Sequence, residues 1–147
     1  MSQLFISLIL LSISIVSPFS VESADDFAEK MQPYFGVATN WQFRDIGTWW
    51  SATLAVGDPL VCTSTVYLSP KWKTEKSALW KYTLAHEWGH VLQGKNCVNN
   101  EHNADIIALT KLAEAEEWGA FITGANWLLD TKQFTMKEIF NIVKGVK

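Results

Sequence analysis

The sequence predicts an α+β domain, and three observations carry that prediction. Strand signals are confined to residues 37–68, where β-branched and aromatic residues cluster between turn residues. Beyond Pro70 the chain reads as helices, with apolar residues at helical spacing and capping residues at their ends. The order is thus helix, strands, helices, which segregates the two kinds of element and calls for a small, mostly antiparallel sheet. The chain has 147 residues, 48% hydrophobic and 18% charged, which suits one folded domain and excludes intrinsic disorder. The net charge is −3, with Lys and Arg scattered among Asp and Glu. No basic patch forms, which argues against nucleic acid as a partner. The eight tryptophans suit a small domain that must build its core from few, large side chains.

The first element is an apolar run, Leu4 to Val16 (LFISLILLSISIV), too short to span a bilayer. Small residues at Ser23 and Ala24 follow it, so residues 1–23 read as a signal peptide and 24–147 as the mature domain. Its amino end, Met1-Ser2-Gln3, lacks the usual positive side chain. The expectation is a secreted monomer with no membrane span after cleavage. In an oxidising compartment Cys62 and Cys97, the two cysteines, are expected to form a disulfide.

Asp25 to Tyr34 reads as a short helix stopped by Pro33 and Gly36. Asn40 to Ile46 alternates weakly, Trp49 to Val56 is aromatic and β-branched, and Gly57-Asp58-Pro59 is a turn. Leu60 to Leu68 is the best strand, ended by Pro70. A long helix then opens at Thr74 or Ser77 and runs through Gln93, with Gly94 where a C′ residue belongs. A second long helix is expected from Asn100 to Phe121, with Ile106, Leu109, Leu112 and Ala113 on its apolar stripe. Gly124 to Asp130 reads as a break with an apolar tail. Thr135-Met136-Lys137-Glu138 is a capping box for a last helix to Lys144. The apolar residues of 125–147 must pack either behind the long helices or over a cleft.

The chemistry concentrates at His86-Glu87-Trp88-Gly89-His90. Helix positions four apart differ by about 40°, so both imidazoles leave one face and can make half of a tetrahedral zinc site. Glu87 lies beside them, close enough to take a proton from a water on that metal. A catalytic zinc needs a third protein ligand and an open fourth position. Gln93 and Asn96 stand where the metzincin pattern has Gly and His, so that solution is excluded. The remaining candidates are Cys97, Glu101, His102 and Asp105. Glu101 as ligand, with Asp105 four residues on to accept an imidazole N–H, is a complete arrangement; His102 is the runner-up. His102, Tyr67 and Tyr82 are candidates for an oxyanion donor.

Ala85 to Gln93 (AHEWGHVLQ), followed by Glu101-His102-Asn103-Ala104-Asp105, resembles the gluzincin metallopeptidases. It is most similar to small neutral zinc metallopeptidases in which a helix HE-aromatic-GH-x-x-Q precedes a helix E-x-x-A-D. The resemblance implies His86, His90 and Glu101 as zinc ligands, Glu87 as the catalytic base and Asp105 as the buttress of a ligand histidine. The spacing departs from the pattern, because His90 and Glu101 are separated by a shorter linker than in most relatives. A zincin-like fold follows, with an active-site helix, a second long helix and an edge strand for peptide docking, the place that Ser64 to Leu68 takes in chain order; the alternative for that segment is an interior strand of the sheet. The resulting expectation is a secreted endopeptidase with one catalytic Zn²⁺, acting on peptides or proteins. Its alternative is a non-catalytic secreted domain that keeps zinc as a staple and binds through exposed tryptophans.

Overall fold

The computed structural model describes residues 23–36, 40–55, 64–75, 77–93 and 100–146. In chain order these form α1 (Ala24–Phe35), β1 (Trp41–Phe43), β2 (Ser51–Ala55), β3 (Ser64–Leu68), a 3₁₀ turn (Pro70–Lys73), α2 (Leu79–Val91), α3 (Glu101–Glu114), α4 (Trp118–Asp130) and α5 (Met136–Gly145). The α+β class holds. The expected leader and the cysteine pair Cys62–Cys97 lie outside the described residues, except for Ser23. That serine is the N-cap of α1, its Oγ accepting from the backbone N–H of Asp26 at 3.1 Å. Pro33 lies inside α1 rather than ending it, and Gly36 at φ 63° supplies the stop.

The sheet is mixed rather than mostly antiparallel. Its strand order is β1-β3-β2, with β1 parallel and β2 antiparallel to β3. Ser64 to Leu68 is therefore the interior strand and not an edge. The physical reason is backbone pairing on both edges, with β1 on one side and β2 on the other, and Val66, Tyr67 and Leu68 are all buried, as suits a central strand. The end of β3 clasps both partners, since Leu68 O accepts from Arg44 N and Ser69 N donates to Trp50 O. Among the described residues the two edges are β1 and β2, and β2 lies against α2.

The core sits between the sheet, α1 and the helices. Phe27 of α1 meets Trp80 edge-on at 5.5 Å and stacks on Trp88 at 5.9 Å, while Phe35 covers Trp88 at 5.1 Å. Each such buried side chain stabilises the fold by about 1.5–3 kcal/mol. Tryptophan thus works mainly as core at positions 72, 80 and 88, whereas Trp49, Trp50 and Trp127 stay exposed.

The expected second long helix is two helices. Its first part ends in a Schellman closure: Glu116 N donates to Ala113 O, Glu117 N to Leu112 O, and Glu116 takes φ 57°. Glutamate occupies the left-handed position that glycine usually fills, so the stop carries no glycine signal. The same closure ends α4, with Lys132 at φ 58°. Gly124, read as a break, lies inside α4. It serves close packing instead, because a Cβ there would fall 2.2 Å from Tyr82 Cδ2. The capping box at Thr135 and Glu138 forms as expected. Of the apolar tail, Phe134 and Ile139 are buried and α5 packs on α3, while Trp127 faces the cleft.

Candidate metal centre

The site is made where α2 crosses α3, and two small residues permit that crossing. A Cβ on Gly89 would lie 2.6 Å from the carbonyl oxygen of Ala104. The backbones touch there, so the first turns of α3 come up against the His86–His90 face of α2. A side-chain clamp holds the same corner. Gln93 Nε2 donates to Asn100 O at 2.9 Å, and Asn100 N donates back to Gln93 Oε1 at 3.1 Å. Asn100 also caps α3, accepting from Asn103 N at 3.0 Å. The end of α2 and the start of α3 are thereby tied, whatever path the intervening chain takes.

Three donor atoms converge at the crossing. His86 Nε2 and His90 Nε2 are 3.1 Å apart, and Glu101 Oε2 lies 3.0 Å from the first and 3.4 Å from the second. A zinc-sized tetrahedral ion with bonds of about 2.0–2.1 Å has ligand-to-ligand edges of about 3.3 Å, so this triangle fits one face of such a polyhedron. His86, His90 and Glu101 could thus hold a metal ion. His90 is buried, whereas the Glu101 side chain is 66% exposed, which leaves the site open to solvent on the α3 side.

Asp105 completes the support. His86 Nδ1 lies 2.6 Å from Asp105 Oδ1, and the Tyr82 hydroxyl donates to the same oxygen. A proton on Nδ1 leaves the Nε2 lone pair turned toward His90 and Glu101. Burial opposes a charged His86 ring. The Asp105 hydrogen bond and the charges of Asp105, Glu87 and Glu101 outweigh that and lift its pKa above the ordinary imidazole value. Burial and the adjacent Asp105 carboxylate push the Tyr82 phenol well above its usual range, so it remains a donor.

Glu87 is buried on the sheet side of α2, where Ser51 Oγ of β2 donates to Glu87 Oε1 at 2.6 Å. Beside the triangle opens a cavity of about 410 Å³, walled by Trp50, Trp72, Tyr82 and Trp127 and reaching His86 and Glu101. It is a mostly apolar slot ending at the donor atoms, the common form of a small-ligand or side-chain pocket.

Of the residues singled out from sequence, His86, His90, Glu101 and Asp105 come together. His102 does not: it leaves the far side of α3, pairs with Glu138 at 3.2 Å and stacks on Phe134 at 4.5 Å. It is therefore neither a ligand nor an oxyanion donor in this arrangement, because neighbouring helix positions diverge by about 100°. Tyr67 is buried under the Arg44 guanidinium, and the Tyr82 hydroxyl is already committed to Asp105. Cys97, the remaining ligand candidate, lies outside the described residues. Sequence reasoning missed the structural parts played by Ser51, Tyr82 and the Gly89–Ala104 contact, and it gave Gln93 no role. The small residue inside each motif was the one readable hint of a close crossing. Comparison with protein-family models, curated proteins and solved structures finds no match for the chain.

Proposed function

We propose that this protein is a zinc-dependent endopeptidase, with His86, His90 and Glu101 holding the ion and Glu87 as its general base. The observation that carries the reading is the triangle of three donor atoms with 3.0–3.4 Å edges, open on one side to a cleft. A bound zinc supplies Lewis acidity toward a peptide carbonyl and brings a water toward neutral acidity. The rest is done by the chain. Glu87 takes a proton from the attacking water and returns it to the departing amine. Ser51 anchors one oxygen of that carboxylate, and Asp105 keeps the His86 ring turned so that Nε2 faces inward. The aromatic slot beside the triangle receives a large side chain of the substrate. With Ser64 to Leu68 inside the sheet, the strand available to pair with an extended peptide near the site is β2. The leader expected over residues 1–23 would deliver the enzyme outside the cell.

Glu87 also separates this reading from that of a domain stapled by metal without catalysis. A carboxylate near His86 but outside the triangle is not needed to bind the metal. Glu87→Gln should therefore retain zinc while peptidase activity on a quenched peptide falls by about 10²–10⁴-fold, the usual contribution of a general base. Activity in the unaltered protein should vanish with a chelator and return with zinc. Unchanged turnover in a folded Glu87→Gln protein would overturn the assignment.

A further inference from the structure

Asp105 is only 3% exposed, so its carboxylate must be met by donors or it would cost several kcal/mol to bury. Among the described residues the two donors that reach it come from α2 and converge on one oxygen, Oδ1. Tyr82 stands four residues before His86, so the two side chains leave the same face of α2 one turn apart and bracket the carboxylate. A carboxylate oxygen held between two donors has little freedom to rotate away from either. The Tyr82 ring is itself pressed from the other side. Gly124 of α4 lies against it so closely that a Cβ would come within 2.2 Å of Cδ2 and 2.4 Å of Cγ, and Trp127, one turn on, approaches at 6.3 Å.

We propose that Tyr82 is a positioning residue of the metal centre: its hydroxyl holds Asp105 against His86 Nδ1, and Gly124 is the seat that lets its ring lie there. The inference rests on the metal-centre reading above. By it α4, which contributes no donor atom to the triangle, sets metal affinity through the back of a phenol ring. Tyr82 fills its place in the core equally well without the hydroxyl, so a purely packing role and a positioning role diverge in Tyr82→Phe.

The test uses the full chain, zinc affinity by competition with a chromophoric chelator, the visible spectrum of the cobalt-loaded protein and thermal melting of the metal-free protein. Tyr82→Phe should bind zinc about tenfold more weakly, at the lower end of the 10–100-fold range for residues that orient ligands. Its cobalt bands should shift, and the metal-free protein should melt lower only by what the one lost hydrogen bond to Asp105 costs. Gly124→Ala keeps the hydroxyl but displaces the ring, so it should lower affinity in the same direction. It carries the test alone if loss of the hydroxyl prevents folding. Wild-type affinity and an unshifted cobalt spectrum in these variants would overturn the proposal. So would a fall in affinity matched only by a fall in stability with the spectrum unchanged. Failure of the unaltered protein to bind zinc would instead remove the metal-centre reading, and this inference with it.

Discussion

Two histidine–carboxylate pairs flank the same helix and behave as opposites. On one side of α3, His86 meets Asp105 with both side chains largely buried and a tyrosine hydroxyl on the same carboxylate. On the other, His102 meets Glu138 with side chains 49% and 39% exposed. Distance alone does not rank them, since 2.6 Å and 3.2 Å are both good contacts. What differs is the surroundings. The buried pair is oriented by neighbours and leaves the second imidazole nitrogen facing two further donor atoms. The exposed pair ends at water and ties α3 to α5. Identical chemistry thus supports a group that could hold a metal ion in one place and makes a surface tie in the other.

The largest test of this contrast is to break each pair on the histidine side. His86→Ala, or Glu101→Ala, should cost well over the roughly 100-fold that loss of a supporting residue can cost, because a ligand itself is gone. His102→Ala should leave zinc titration within about twofold of wild type. If the order were reversed, the ligand role would pass to His102. Next in size is Asp105→Asn, which presents an amide to two donors. Zinc affinity should fall about 10–100-fold, and metal-free stability should fall by about 1–3 kcal/mol, measured by denaturant unfolding.

The pairs should also part in their response to pH. The His86 pKa is raised in the folded, metal-free chain, so this pair contributes most stability below the ordinary imidazole value. That contribution is lost as pH rises through the raised value. Metal binding runs the other way, since the ligand must be neutral. Zinc affinity should therefore rise with pH and level off only above the raised His86 value, while the metal-free protein loses stability over the same interval. Calorimetric titration across that range checks both signs. The smallest effect belongs to the exposed pair. Glu138→Gln should change stability by at most about 1 kcal/mol, and salt should erase the difference.

Much of the site was legible because helical spacing is local. His86 and His90 share a face by a four-residue interval, and Glu101 and Asp105 do so by another. The capping box at Thr135 was equally local. The breaks around Glu116 and Lys132 were not legible, because both helices close on a left-handed residue that is not glycine. Gly124 misled for the complementary reason: it answers to the Tyr82 ring, far away in sequence. The central position of β3 had a partial signal in the unbroken apolar run Val66-Tyr67-Leu68, which alternation over the longer segment obscured.

By itself, then, the sequence determined the class of fold, the helix that carries two imidazoles and the second helix that offers a carboxylate with its supporting acid. Those follow from periodicity, whose reach is a turn or two of helix. Only the tertiary structure decided which of two adjacent residues, Glu101 or His102, faces the imidazoles, that β3 lies inside the sheet, and that Tyr82 and Ser51 hold Asp105 and Glu87. Each of these depends on how closely elements distant in sequence approach, and Gly89 against Ala104 sets that approach by backbone contact rather than by any repeat along the chain.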